Sequence, residues 1–189
     1  MRIHVVGASG SGTTTLGAAL GRRLGIEHLD TDAFYWLPTD PPFREKRPIP
    51  ERVAMLLDEF GRREQWVLSG SLVSWGAPLV PYFTRVVFLS VPDSERMARL
   101  KRREEERYGD RMLPGGDMHE SVQAFLSWAR HYESGDFGGR SRRVHEEWLA
   151  ILPCPVLRIE GTPTVDESVA RVMQGESASA DADSLAPSG

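Results

Sequence analysis

Nine residues near the amino terminus, GASGSGTTT at 7–15, carry glycines at a spacing that lets backbone N–H groups wrap a phosphate. In the full pattern, G-x-x-x-x-G-K-[ST], a lysine reaches the β and γ phosphates and the next hydroxyl binds Mg²⁺. Gly7, Gly12 and Thr14 fit, with Ala8, Ser9, Gly10 and Ser11 between the glycines and Thr15 beyond, but Thr13 stands where the lysine would be. A glycine turn with no ligand is the plain alternative, and its place between a strand and a helix weighs against it. A second pair of groups lies in DTD, where one of Asp30 and Asp32 could hold Mg²⁺ through water and the other receive a proton from a substrate hydroxyl. Acids at this spacing also cap a helix or a turn.

These residues need elements to hold them. RIHVV at 2–6 predicts a first strand ending at Gly7, and TTTLGAALGRRL at 13–24 a helix with Leu16, Leu20 and Leu24 on one face. IEHLD at 26–30 reads as a second strand, WVLSG at 66–70 as a third and RVVFLSV at 85–91 as a fourth, apolar throughout like a strand buried on both faces. Residues 35–50 hold five prolines and read as an excursion outside the core. Helices are expected at about 51–63, from Pro92 onward, and at about 118–133, 140–151 and 164–174, with a last strand at 155–160. The glycine-rich, charged stretch 107–117 reads as exposed, and residues 175–189 as a disordered tail. Alternating strands and helices imply an open α/β fold, a five-stranded parallel sheet with helices on both faces, binding ligands at the carboxyl ends of its strands. Gly7, Asp30 and Gly70 mark those ends.

The composition narrows the chemistry. A chain of 189 residues, 40% hydrophobic, suits one domain, here placed at 1–174. Its 23 basic residues are scattered among 27 acidic ones for a net charge of -4, which implies no basic face for nucleic acid. The opening MRIHVVGAS lacks a signal-peptide stretch and no run of 18 apolar residues occurs, so a cytoplasmic protein without a membrane partner is expected. Cys154, the single cysteine, reads as a structural thiol, and the five histidines show no zinc spacing. Only Lys46 and Lys101 are lysine, so cationic chemistry falls to arginine, permanently charged and bidentate.

In order along residues 1–173, the chain resembles the P-loop kinases of the adenylate kinase and shikimate kinase group. GASGSGTTTLGAALGRRLG followed by HLDTDAFYW is similar to their loop and to the DTD of the shikimate kinase type, and HLDTDAFYWLP with WVLSGS resembles the small adenylate-kinase-like topology-modulation proteins. VPDSERMARLKRR at 91–103 resembles the segment leading into the mobile lid, here about 104–118, and IEGTP at 159–163 the loop that closes the base pocket. The resemblance implies a three-layer fold, ATP and Mg²⁺ as cofactors, and a small-molecule acceptor. It places Arg99 over the adenine with Gly161 and Thr162 closing the pocket, Arg103 on a phosphate, Thr14 and Asp30 at the metal, and Arg111 among the lid arginines that stabilise transition-state charge. The third strand ends in Ser69 where related proteins often carry an acid.

The expected activity is transfer of the ATP γ-phosphoryl group to a nucleoside monophosphate, a polyol or another small hydroxyl compound, with Tyr35, Trp36 and Trp75 as pocket walls or as ordinary packing. The alternative is a nucleotide-binding regulatory protein that has lost turnover. A sulfotransferase is a weaker reading, since Gly10 stands where its loop lysine belongs, and no N-K-x-D motif supports a GTPase. With Thr13 in the loop, a lid arginine, Arg103 or Arg111, is expected to supply the missing charge.

Overall fold

The computed structural model describes residues 1–136 and 138–184, with side chains as far as Gly175. Five strands, β1 (Arg2–Gly7), β2 (Glu27–Asp30), β3 (Trp66–Ser69), β4 (Arg85–Ser90) and β5 (Val156–Glu160), form one sheet in the order β2-β3-β1-β4-β5. Every adjacent pair is parallel. The register aligns Asp30 with Ser69, Gly7 with Leu89 and Ser90 with Glu160, so the carboxyl ends form one edge.

Side-chain alternation along β1 divides the core. Ile3 and Val5 point to the face covered by α1 (Thr13–Leu24) and α7 (Val165–Ser184), joining Leu16, Leu20 and Val172. Val6 joins the other face, filled by Phe34 of α2 (Thr31–Tyr35), Leu56 and Phe60 of α3 (Ile49–Gly61) and Leu149 of α6 (Arg142–Ala150). The three layers and the five parallel strands agree with the α/β architecture read from the sequence. The remaining helices, α4 (Asp93–Tyr108) and α5 (His119–Arg130), meet beyond the sheet edge. There Tyr108, Met112 and Met118, from residues 104–118, form a small separate cluster with Val122 of α5.

Three features add to the expected elements. The five-residue α2 was not foreseen, because its residues TDAFY span too little chain to show a helical period. The proline-rich excursion closes on itself through a Trp36–Lys46 bridge and the Leu37 N–H to Glu45 carbonyl bond of 2.9 Å. The expected disordered tail is corrected in part: α7 continues to Ser184, so residues 175–184 are helical, and 185–189 lie outside the described residues. Alanines at 178, 180 and 182 favour helix, and no proline intervenes before Pro187. The buried Arg85 ties α7 to β4, donating to the carbonyls of Val172 at 3.2 Å and Gly175 at 2.7 Å. Cys154 is half-buried at the edge of the core, where burial pushes its thiol up. No helix among the described residues is long and apolar enough to cross a membrane.

Two buried histidines make the fold sensitive to pH. His4, fully enclosed in β1 and stacked on Phe83 at 4.9 Å, is lowered by burial from 6.5 to about 3. His145 of α6, also buried, is lowered to about 3 by the same cause. Folding therefore requires both rings neutral, whereas the unfolded chain protonates them near pH 6.5. Their contribution is complete above pH 6.5 and falls below it by up to about 1.4 kcal/mol per pH unit for each ring. Urea unfolding of the wild type and of His4→Phe at pH 7.5 and pH 5.0 should show a smaller loss of stability in the variant, since it keeps the stacked ring and lacks the titration.

Candidate functional site

The glycine loop joins β1 to α1 as a tight wrap. Gly10 and Gly12 take φ of +81° and +92°, left-handed conformations that glycine adopts without strain. A Cβ on Gly10 would stand 2.7 Å from the Arg96 carbonyl, so the loop lies directly on α4. Arg96, 1% exposed, fixes the contact by donating to the Ser9 carbonyl at 3.0 Å and pairing with Asp93. Among the described residues, no side chain caps the start of α1 and the buried Ser11 hydroxyl has no partner. Free N–H groups at a helix start, aimed along a glycine loop, suit an anion.

The acids of DTD sit beside this loop. Thr14 donates its hydroxyl to Asp30 Oδ2 at 2.8 Å, and Asp30 Oδ1 accepts the Asp32 N–H at 2.9 Å. Asp30 thereby caps α2 and faces Thr14 at once, so the two uses of an acid at this position coexist. Gly70, φ +107°, lets β3 pass against Thr31: a Cβ there would fall 1.8 Å from the Thr31 hydroxyl. The backbone around both acids is thus set by β3 as well as β2. Thr14 and Asp30 are the hard oxygen donors that Mg²⁺ takes. No cluster of three or more His, Cys, Asp or Glu occurs among the described residues, so a cation at this pair would depend on oxygens from a ligand.

Asp32 faces a cavity of about 830 Å³ that opens from Ser9 of the loop and runs between α2, α4 and α5. Burial raises the Asp32 carboxyl above its usual range and the Asp30 charge adds to this, while Arg140, a Trp36 hydrogen bond and Arg103 oppose it. Tyr35, Trp36 and Trp75 line the same cavity, with the Tyr35 and Trp75 rings 6.1 Å apart. The structure therefore gathers the loop from Gly7 to Thr15, both acids, the three aromatics and Arg103.

Other sequence-predicted residues lie farther out. Arg103 borders the cavity but donates twice to the buried Glu104, at 2.7 and 2.9 Å. Arg111 is on the exposed turn after α4, paired with Asp117 at 2.7 Å, and does not line the cavity. Arg99 pairs with Glu95 at 2.8 Å and comes within 3.9 Å of where a Gly12 Cβ would be. Gly161, φ +82°, donates its N–H to the Ser90 carbonyl at 2.9 Å, which places it with Thr162 at the β4–β5 end of the sheet edge.

Sequence reasoning passed over two features. Arg140 lines the cavity with its guanidinium 3.4 Å from the Ser9 hydroxyl, and GGRSRR offered only a glycine pair before a basic run. Beneath the cavity, His145 links the Tyr132 hydroxyl at 2.8 Å to the Ser71 hydroxyl at 3.2 Å. Burial pushes Tyr132 up to about 12, so both ends of this chain are neutral at pH 7. Its residues come from three distant segments, which no spacing reveals.

The loop packing carries a graded consequence. Gly10→Ala meets the Arg96 carbonyl and the Leu100 side chain, whereas Gly12→Ala enters open space apart from Arg99 at 3.9 Å. Both suffer the left-handed penalty of about 1–2 kcal/mol. Urea unfolding should show Gly10→Ala to be the more destabilised by at least a further 1 kcal/mol or so, the order of an overpacking cost.

Residues 3–124 match the family described as AAA domain. A protein of Bacillus subtilis (strain 168), called uncharacterized protein YqaC, is 48% identical over 171 residues, 90% of this chain and 94% of that protein. Among solved structures, shikimate kinase from Acinetobacter baumannii in complex with shikimate is 18% identical, covering 94% of this chain and 93% of that one, with a TM-score of 0.48. Shikimate kinase from Aquifex aeolicus vf5 is 16% identical, covering 99% and 100%, with a TM-score of 0.49. The glycine loop follows β1, the central strand of the parallel sheet ordered β2-β3-β1-β4-β5. Matched through its loop, its acids and α4, the chain belongs to the AAA domain family.

Proposed function

We propose that this protein is an ATP- and Mg²⁺-dependent phosphotransferase that moves the γ-phosphoryl group to a small hydroxyl-bearing acceptor. The observation that carries the reading is the chain from Thr14 through Asp30 to Asp32, which joins the phosphate loop to an acid facing a cavity large enough for a small molecule. A bare nucleotide binder has no use for that cavity or for a buried acid at its head.

The backbone of residues 7–15 holds the phosphates, and Thr14 with Asp30 holds Mg²⁺, which when bound offsets phosphate charge. Asp32 takes the proton of the acceptor hydroxyl as the oxygen attacks phosphorus. Arg99, Gly161 and Thr162 border the base. Residues 104–118 act as the lid of a single domain spanning 1–174, with Arg103 and Arg111 approaching the phosphates when it closes. Aromatic walls at Tyr35, Trp36 and Trp75 suit the flat face of a ring, whether a nucleobase or a cyclic polyol. The protein works in the cytoplasm, where ATP is supplied.

A second reading is favoured by Thr13: a nucleotide-binding regulatory protein without turnover, since a neutral hydroxyl cannot replace a charge-assisted bond. ATP consumption with Mg²⁺, screened against nucleoside monophosphates and polyols, separates the two. Turnover with any acceptor supports the enzyme, and ATP binding without turnover supports the regulator.

Asp32→Asn should lower kcat by at least about 100-fold, the scale of general base catalysis, while calorimetric ATP affinity changes by less than about threefold. Equal losses in both would assign Asp32 to nucleotide binding. Because burial raises Asp32 and the base must be ionised, kcat/KM should fall as pH drops through a value above the ordinary carboxylate range, 3.8.

A further inference from the structure

Two arginines of the cavity wall, Arg44 and Arg140, have no carboxylate within 4.0 Å among the described residues, whereas Arg96, Arg99, Arg103, Arg107 and Arg111 each do. Arg44 donates to the Ser121 hydroxyl at 2.9 Å and to Met118 Sδ at 3.4 Å, away from the phosphate loop. Arg140 Nη1 stands 3.4 Å from the Ser9 hydroxyl, and its guanidinium lies over the Trp128 ring at 5.6 Å. Ser141 immediately follows and caps α6, accepting the Val144 N–H at 3.3 Å, so the backbone beside Arg140 is fixed. Burial lowers its guanidinium and the Asp32 charge opposes that, which places the cation in the field of the acid.

A half-buried cation at a cavity wall, with no carboxylate beside it, is placed to take a charge-assisted bond from an anion. Arg140 touches the phosphate loop on one side and borders the Asp32 cavity on the other. The terminal phosphoryl group of a nucleotide must cross between those two surfaces to reach the acceptor.

We propose that Arg140 is a catalytic residue that supplies the charge missing at Thr13, gripping the γ-phosphoryl oxygens while the group passes from nucleotide to acceptor. This rests on the phosphotransferase reading above. The acceptor oxygen forms its bond to the γ phosphorus as the bond from that phosphorus to the β–γ bridging oxygen breaks. The hydroxyl proton goes to Asp32, and ADP leaves with the electron pair of the broken bond. Arg140 neither gains nor loses a proton. A planar guanidinium holds two equatorial oxygens in a fixed bidentate fork, whereas an ammonium offers three rotatable donors from a single point charge. The lid arginines must first leave their carboxylates to approach the phosphates, Arg103 that of Glu104 and Arg111 that of Asp117, whereas Arg140 has none to leave.

The test uses the full chain, Mg²⁺ and two probes, ATP and ADP. Calorimetry on the wild type, Arg140→Gln, Arg140→Lys, Thr13→Lys and the double variant Thr13→Lys/Arg140→Gln separates the possibilities. Arg140→Gln should weaken ATP at least about tenfold and ADP less than about threefold, because only ATP carries the γ group. Arg140→Lys should recover part of the loss. Adding Thr13→Lys to Arg140→Gln should restore ATP affinity severalfold, while Thr13→Lys alone changes it little. Equal losses of ATP and ADP affinity with no recovery in the double variant would overturn the proposal, as would ATP affinity within twofold of the wild type in Arg140→Gln. A wild type that binds neither nucleotide would bring down the phosphotransferase reading itself, an outcome distinct from a wild type that binds ATP without needing Arg140.

Discussion

The seating of the glycine loop on α4 is the contact on which the rest of the site depends. Arg96 is almost wholly enclosed, yet one arm of its guanidinium reaches the Ser9 carbonyl and another its own helix at Asp93. Above it the Arg96 carbonyl leaves room only for a glycine at position 10. The loop is therefore shaped by a buried cation and a backbone oxygen before any ligand arrives. Such preorganisation lowers the ordering cost of binding an anion, since the N–H donors need not be gathered at that moment. α4 also carries Arg99, Arg103 and Glu104, so the same contact sets where those side chains stand relative to the loop.

A second constraint sets the acids. β2 and β3 end in register, and Gly70 passes so close to Thr31 that the turn containing both aspartates has little freedom. Asp30 spends both oxygens on neighbours, the Thr14 hydroxyl and the Asp32 N–H. Asp32 instead faces the cavity, where burial and the neighbouring acid favour its proton and two arginines oppose them. Two carboxylates two residues apart thus occupy unlike environments, one in a hydrogen-bonded frame and one at an enclosed surface. Environments that drive like groups apart are how one fold assigns them separate tasks.

The frame of the protein was legible because its signals are local. Apolar runs such as RVVFLSV, the leucine spacing of α1 and the glycine loop between them each depend on a few consecutive residues, and the sheet follows from their alternation. DTD was likewise legible from its place at a strand end. Arg140 was not, because its significance arises where the start of α6 meets a loop more than 130 residues earlier. The chain of Ser71, His145 and Tyr132 was hidden for the same reason, and α2 for its shortness. Among lid arginines, the carboxylates that claim Arg103 and Arg111 depend on side-chain geometry. In the tail, low hydrophobicity suggested disorder, while its alanines favoured continuing α7.

The exchange of a loop lysine for a distant arginine would change what the charge is coupled to. A lysine at position 13 is part of α1 and moves with the phosphate loop, so it meets a nucleotide whether or not an acceptor is present. Arg140 belongs to the segment between α5 and α6, and those two helices wall the same cavity through Trp128 and Val144. A cation there is positioned by the acceptor side of the site, and an acceptor that presses on that wall also bears on the cation. The energetic link is strongest if Arg140 binds the γ group better when the cavity is filled, for the affinity of each ligand then rises with the other by the same factor. Such coupling disfavours transfer to water, because water filling the cavity provides none of the contacts that set the wall. With the proposed transfer, a threonine at position 13 and the cation at Arg140 would make the site's readiness depend on its acceptor.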